Sequence, residues 1–348
     1  MKKIAIILPS LRNVGPNKVA LTIVKENLNS SELFFKVFYI KEQIELDFPC
    51  DTEKLSPSTL RQLYDFDVIH SHMLRPDIIN AILPFYKGKK ITTVHNIVTD
   101  DLYYSHGYFI SKLVSRVWFK IWSMLDNAIV LSQFAKTFYV NNGLSENKVL
   151  IIYNGIEKEH PLESIDQKDK ELILNFKANS KLIAALCLAN ARKGLEQVIE
   201  ALVSLPEYKF ILIGDGPVVN DLRTLALERK VSERFLVLGY RKNARKFLHY
   251  VDYFIMPSRS EGFPLALIEA VEAKKKVVCS SLPLFKEIYN KNEVSFFELD
   301  NIATLEEAVR NADENDTESA YNKTKQNYSG EAMGKNYRKC YLSDKESK

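Results

Sequence analysis

The chain has little of what would fix its class at a glance. Its four cysteines, Cys50, Cys187, Cys279 and Cys340, lie far apart with no C-x-x-C pair. That argues against a disulfide frame or a zinc site and suits thiols in a reducing compartment. No run reaches the roughly 18 uncharged apolar residues that a spanning helix needs. The apolar run at residues 4–8 stops at Pro9, too short for a signal-peptide core, so a cytoplasmic location is expected. Charge of one sign is not in excess: 48 Lys and Arg stand against 44 Asp and Glu, a net of +4, with no basic tract. A nucleic-acid partner is therefore not expected. A G-x-G-x-x-G loop after a strand is missing too. Gly214-x-Gly216 is followed by Val219 where the third glycine would stand, and no Walker A sequence occurs. Both absences argue against a nicotinamide oxidoreductase and a P-loop nucleotide hydrolase.

What is present suffices for two cores. The 348 residues are 46% hydrophobic, 26% charged and 11% aromatic, as in a globular chain of two domains. Short runs that are apolar throughout, at 3–8, 34–40, 68–70, 90–95, 128–131 and 149–152, alternate with helical patterns. Such runs predict a parallel sheet covered on both faces. The turn Asn154-Gly155 and a charged surface stretch at 157–170 close this half. The pattern then restarts, with strands at 182–188, 209–213, 235–238, 253–256 and 276–279 and helices at 194–205, 219–230, 244–250 and 264–273. A polar stretch at 311–328 precedes a last helix at 331–341. The expected fold class is α/β, two doubly wound Rossmann-like domains spanning 1–157 and 158–330. The C-terminal helix, about 331–348, is expected to pack back on the first. Ligands of such sheets bind beyond the carboxyl ends of the strands, here in a cleft between the domains. Residues 1–158 hold 19 Lys and Arg against 15 Asp and Glu, and the remainder 29 against 29, so the first half carries the whole excess.

The most chemically loaded segment is Pro257-Ser-Arg-Ser-Glu261-Gly262-Phe263-Pro264-Leu265-Ala266-Leu-Ile-Glu269-Ala270. A strand ends at Met256, a tight loop follows, and Pro264 suits a first helical turn, where its missing donor costs little. The free amides of that turn make a site for an anion or a hydroxyl. Glu261 precedes the helix and Glu269 lies about a turn and a half into it, so two carboxylates can each serve a polyol. Taken singly, each glutamate is equally an ordinary cap or a solvated helix residue.

The whole string closely resembles the E-x7-E segment of the retaining glycosyltransferases of family 4, which have the GT-B fold. The resemblance covers most of the chain. Gly15-Pro16-Asn17-Lys18 is similar to the family's glycine-rich loop near the donor phosphates, and Thr93-Val-His95-Asn96 to its strand-end histidine. Asn154-Gly155-Ile156 is similar to the interdomain turn, and Lys193-Gly194 to the phosphate-binding pair before a helix. Gly214-Asp-Gly-Pro217 and Leu238-Gly-Tyr240 are similar to a turn and to the loop beside the base. Each is weak alone, and seven in order are strong.

The resemblance implies that Glu269 binds the nucleotide ribose, and that Glu261 with the amides around Gly262, Phe263, Leu265 and Ala266 holds the donor sugar and distal phosphate. Lys193 would balance charge on the departing diphosphate. The family's arginine, several residues before that lysine, has only Arg192 to fill its place here. His95 would lie near the sugar's primary hydroxyl or the acceptor, although a lone histidine is more often a packed one. His70 and His72 also sit at a strand end, but without paired carboxylates the three make a weak metal site. The implied partners are a nucleoside-diphosphate sugar, UDP-linked by frequency in the family, and a glycan or lipid-linked acceptor of a capsule, lipopolysaccharide or similar surface glycan. Neither a metal nor a cofactor is expected, since the nucleotide sugar is a substrate. A sugar-nucleotide epimerase of the same architecture and a binding-only subunit of a transferase complex are the rival readings. Finally, in residues 107–125 Lys112, Arg116 and Lys120 form one helical stripe with Trp118 and Trp122 on the other side. This is either a helix lying on an anionic membrane surface, which would make the protein peripheral, or an ordinary packed helix with a solvated cationic face.

Overall fold

The computed structural model describes residues 1–158 and 165–343. Positions 159–164 of the charged stretch, and 344–348 of the expected C-terminal helix, lie outside the described residues. The chain divides into two units, Met1–Lys158 with Asn327–Lys348, and Glu159–Gln326.

The first unit is built on a seven-stranded sheet. Its strands are β1 (Lys2–Leu8), β2 (Leu33–Tyr39), β3 (Asp51–Lys54), β4 (Val68–His72), β5 (Lys89–Val94), β6 (Asn127–Val130) and β7 (Val149–Ile151). They lie in the order β3-β2-β1-β4-β5-β6-β7, and every pairing is parallel. Residues Ile4–Leu8 of β1 are all 0% exposed, which is why the run is apolar throughout instead of alternating. The strand order reverses between β1 and β4, and that switch point is where an open sheet leaves a crevice. Strand β3 was not legible as one. Its sequence, Asp-Thr-Glu-Lys, buries no face, and it is held at the sheet edge by pairing with β2 and by a Lys36–Glu53 ion pair at 2.5 Å.

The C-terminal helix Gly330–Leu342 belongs to this unit and lies along the helix Gly15–Asn27. The contact is close: a Cβ on Gly334 would stand 2.5 Å from Glu26 Cβ, and Asn27 Nδ2 donates to the Gly334 carbonyl at 3.1 Å. Lys2 and Lys89 donate to the carbonyls of Leu342 and Cys340 at 3.0 Å each, placing cations at the helix's negative end. Tyr337 and Tyr341, one turn apart and both 0% exposed, point from this helix into the sheet.

The basic segment forms the helix Tyr108–Ser123. Its tryptophans turn inward. Trp122 is buried and Trp118 partly so, and their indole N–H groups donate to the same oxygen of buried Asp77 at 2.9 and 3.1 Å. The Thr92 hydroxyl donates to the other oxygen at 2.7 Å, so the donors that meet this carboxylate are neutral. Burial nevertheless raises its pKa. The outer face of the helix carries Lys112, Arg116 and Lys120 beside exposed Phe109, Leu113 and Val117.

The second unit has six parallel strands, β8 (Lys181–Leu186), β9 (Tyr208–Ile213), β10 (Phe235–Gly239), β11 (Tyr253–Met256), β12 (Lys276–Ser280) and β13 (Ser295–Phe297). Their order is β10-β9-β8-β11-β12-β13, with the reversal between β8 and β11. The helix expected over 244–250 is present as the 3-10 helix Ala244–Tyr250. One local reading of the sequence is corrected. Pro264 stands just ahead of the helix Leu265–Glu272, not in its first turn. The polar stretch contains the helix Thr317–Asn327, whose buried residues are only Ala320 and Thr324, too thin a stripe to show as amphipathic.

Candidate active site

In the second unit, the loops that leave the neighbouring strands β8 and β11 meet at the switch point. The first runs through a tight turn, Ala191–Lys193, into the helix Glu196–Leu202. Gly194 makes this possible. Its φ is +61°, and a Cβ there would come within 2.3 Å of the Pro257 carbonyl oxygen on the second loop. Gln197, buried, crosses between the loops by donating to the carbonyls of Gly194 and Pro257 at 3.1 and 3.2 Å. Its oxygen accepts from the Asp300 amide at 2.7 Å.

Lys193 Nζ meets Glu261 Oε1 at 2.5 Å, and the Ser258 hydroxyl donates to the same oxygen at 2.6 Å. The lysine side chain is 14% exposed and the glutamate 8%, so this is a desolvated pair. Burial pushes the Glu261 carboxyl up, but the charges of Lys193 and then Arg192 outweigh it and hold the pKa below the usual carboxylate value. Arg192 acts on the cluster through that charge, and its backbone carbonyl accepts from the Arg259 amide at 2.8 Å. Arg259, which sequence reasoning passed over, braces the two loops. Its guanidinium pairs with Glu196 at 2.6 Å and with Asp300, and donates to the Ala191 carbonyl at 3.2 Å. Its partners lie 41 to 68 positions away, so no local pattern announces it.

The other expected residues of this unit are distributed around the cluster. Gly262, Phe263, Leu265, Ala266 and Glu269 follow Glu261 into the helix Leu265–Glu272; the Leu265 amide is engaged with the Phe263 carbonyl at 3.0 Å. Gly214 follows β9, and a Cβ on it would meet the Cys187 carbonyl oxygen at 1.9 Å, so only glycine fits. A pocket of about 310 Å³ opens beside it, lined by Asp215, Gly216, Asn220 and Arg223 and by the end of β10 at Val237, Leu238 and Gly239. Tyr240, 67% exposed, comes next in the chain.

In the first unit, Gly15 and Pro16 open the helix Gly15–Asn27 after β1. Space around Gly15 is open, and nothing local demands a glycine there. The loop is tied by Asn17 instead, which is fully buried and donates to the carbonyls of Ser10 and Arg12 at 2.9 Å. His95 stands one residue past β5 and is 9% exposed. Its Nε2 lies 2.8 Å from Nδ1 of His72, at the end of β4. His70, two residues earlier on the same strand face, packs 4.3 Å from the His72 ring. It is bonded on both sides, Nδ1 to the Tyr341 hydroxyl and Nε2 to the Thr93 hydroxyl, each at 2.8 Å. Thr93 in turn meets the Tyr337 hydroxyl at 2.8 Å. Two aromatic residues of the C-terminal helix thus complete a polar chain at the strand ends. Their i, i+4 spacing was the one visible sign of it. Both nitrogens of His70 are spent on hydroxyls, and His72 and His95 each spend one nitrogen on the other. Among the described residues no group of three or more His, Cys, Asp or Glu is arranged to hold a metal ion.

Several comparisons bear on this arrangement. The sequence model described as Glycosyl transferases group 1 matches residues 166–329, and that described as Glycosyltransferase Family 4 matches residues 50–160. The O-antigen biosynthesis glycosyltransferase WclY of Escherichia coli is 32% identical over 321 residues, covering 90% of this chain and 89% of that protein. The E. coli UDP-Gal:alpha-D-GlcNAc-diphosphoundecaprenol alpha-1,3-galactosyltransferase is 26% identical over 230 residues, or 62% of this chain and 58% of that one. Among solved structures, Anabaena Alr3699/HepE in complex with UDP-glucose matches with a TM-score of 0.81 at 16% identity, covering 98% of this chain and 99% of that one. At that identity the likeness is one of fold.

The buried histidines make the first unit acid-sensitive. Burial holds all three neutral, with His70 and His95 pushed down to about 3 and His72 well below the usual imidazole range. Between those values and about 6.5, the unfolded chain binds more protons than the folded one. Stability is therefore complete above about pH 6.5 and falls with pH below it, by up to about 1.4 kcal/mol per pH unit for each histidine. Thermal unfolding followed between about pH 7.5 and 5.5 should show a falling midpoint that flattens in a His70→Gln, His72→Asn variant. Equal slopes in the two proteins would contradict this.

Proposed function

The chain belongs to the family 4, group 1 glycosyltransferases, and from that membership we propose how its site moves a sugar from a nucleoside-diphosphate donor to a glycan or lipid-linked acceptor. The reaction belongs to the assembly of a cell-surface polysaccharide and retains configuration at the anomeric carbon. UDP is the carrier favoured by the relatives, one named for UDP-Gal and one solved with UDP-glucose. The observation that carries the reading is the desolvated Lys193–Glu261 pair at the switch point of the second sheet.

Glu269 holds the ribose hydroxyls, and the pocket beside Gly216 and Gly239 gives room for the base, with Tyr240 at its margin. Glu261 and the backbone from Gly262 to Ala266 take the sugar and the distal phosphate. Lys193 is shared: Glu261 pairs with it within the fold, and the donor diphosphate claims it on binding. Arg192 adds positive potential, Gly15 and Pro16 border the phosphates, and His95 meets the sugar or the acceptor. No carboxylate is placed as a nucleophile with an acid partner. The bond from anomeric carbon to phosphate oxygen breaks as the acceptor oxygen bonds on the same face, and the acceptor proton passes to the departing phosphate oxygen. The protein contributes positioning and stabilises the charge that develops on the diphosphate.

The helix Tyr108–Ser123 gives the acceptor side a membrane contact. Among the described residues no helix is long and apolar enough to cross a membrane. This one instead presents Lys112, Arg116 and Lys120 together with Phe109, 86% exposed, and Leu113, 67% exposed. With the tryptophans committed to Asp77, phenylalanine and leucine are the apolar groups available to enter a headgroup layer. Three to five cations at about 1 kcal/mol each give reversible attachment to an anionic surface, suited to an acceptor carried on lipid.

Two measurements test these assignments. Glu269→Ala should weaken UDP binding by about 1.5–3 kcal/mol, the value of a charge-assisted hydrogen bond. Lys193→Ala should lower kcat about a hundredfold or more, with wild-type turnover indifferent to EDTA. Unchanged UDP affinity in the first, or activity lost on chelation and restored by Mg²⁺, contradicts the assignments. For the surface, Lys112→Glu, Arg116→Glu and Lys120→Glu together should abolish sedimentation with anionic vesicles at low salt and leave UDP binding intact. Equal wild-type sedimentation with neutral and anionic vesicles, or none with either, removes the membrane role.

A further inference from the structure

The His72–His95 contact contains more information than a packing interaction. The two ring planes lie within 25° of each other, and 2.8 Å separates His72 Nδ1 from His95 Nε2, a distance that holds one proton. Either ring can be the donor in principle, since a neutral imidazole has one N–H and one bare nitrogen. The rest of His72 decides between them. Its ring is 0% exposed, and its other nitrogen, Nε2, is buried with no hydrogen-bond partner. If His95 were the donor, the proton of neutral His72 would sit on that Nε2 as an orphaned N–H deep in the sheet. Buried N–H groups without partners are rarer than bare acceptors. The less costly arrangement leaves the lone pair there and puts the His72 proton on Nδ1. His70, anchored by Tyr341 and Thr93 on its two sides, packs against the His72 ring and confines it.

We infer that His72 is a positioning residue for His95. It donates its Nδ1–H to His95 Nε2 and so keeps the His95 proton on Nδ1. His95 Nδ1 is the nitrogen of that ring not engaged with His72, which leaves it for a ligand. His95 then works as a neutral hydrogen-bond donor to an oxygen of the donor sugar or the acceptor, not as a base that removes the acceptor proton. This assignment of a ligand rests on the reading of His95 as a substrate contact, while the proton's position does not.

The test is carried out on the full chain labelled with ¹⁵N at histidine. Long-range proton–nitrogen spectra report which nitrogen of His95 bears hydrogen, with no need for turnover, and kcat and KM are measured on the same proteins. Wild type should show the His95 proton on Nδ1. His72→Asn, which places an amide N–H where the imidazole N–H was, should keep both that proton and the turnover. His72→Phe should let the proton move to Nε2 and lower kcat by about tenfold to a hundredfold with KM little changed, by analogy with the loss when the partner orienting a metal-bound histidine is removed. A wild-type His95 with its proton on Nε2 overturns the inference even if no variant folds. An unmoved proton and unchanged kcat in His72→Phe overturns it as well. A proton that moves without any change in kcat refutes His95 as a substrate contact and, with it, the positioning role.

Discussion

Lys193 and Glu261 are withdrawn from water against each other, at the place where the second sheet reverses its strand order. Burying two charges costs several kcal/mol per ion, and an apolar pair of similar volume often does as well or better for stability. A pair in such a place is therefore weak evidence for a role in holding the fold. What surrounds it is arranged to keep it there. Gly194 lets the lysine loop touch the carbonyl of Pro257, Gln197 stitches the two loops, Arg259 braces them from outside, and Ser258 adds a neutral donor to the shared carboxylate oxygen. Within the pair the two charges balance. On the proposed function, a diphosphate arriving at Lys193 would meet a cation already oriented and already stripped of most of its water, the condition under which a fixed charge acts most strongly on a leaving group.

The first unit solves a related problem without charge. The neighbouring strands β4 and β5 end in imidazoles that burial keeps neutral, and the hydroxyls of Thr93 and Tyr341, with Tyr337 behind Thr93, hold His70 among them. The last of these hydroxyls come from the far end of the chain, so the C-terminal helix is part of the strand-end architecture and not an appendage. The same helix is secured by lysines on its final carbonyls and by the close approach at Gly334. A change in the helix that displaced Tyr337 or Tyr341 would therefore reach the histidines through hydrogen bonds.

How much of this could be read from the sequence depended on the range of the interactions. Strands buried on both faces, such as Ile4–Leu8 of β1, announce themselves because burial leaves no polar alternation. The segment from Pro257 to Ala270 was legible because the loop, the glutamates and the helix are contiguous. Edge strand β3 and the helix Thr317–Asn327 were not, because each buries too little apolar surface to leave a pattern. The sequence left the tryptophans of the basic helix open between a membrane surface and the protein's own core; buried Asp77 recruits both from more than forty positions away. Arg259 and the His70–Tyr341 bond were invisible for the same reason. The sequence offered Lys193 and Glu261 as separate candidates; that they pair with each other is a fact of the fold alone.

That mutual neutralisation is the centre of the account, and calorimetric titration of UDP into wild type and Glu261→Gln tests it most directly. The glutamine keeps the shape and the Ser258 hydrogen bond but removes the negative charge that competes with a diphosphate for Lys193. The account predicts tighter UDP binding in the variant together with slower sugar transfer, because the lysine is freed while the sugar loses its carboxylate. Weaker UDP binding with unimpaired transfer would contradict it.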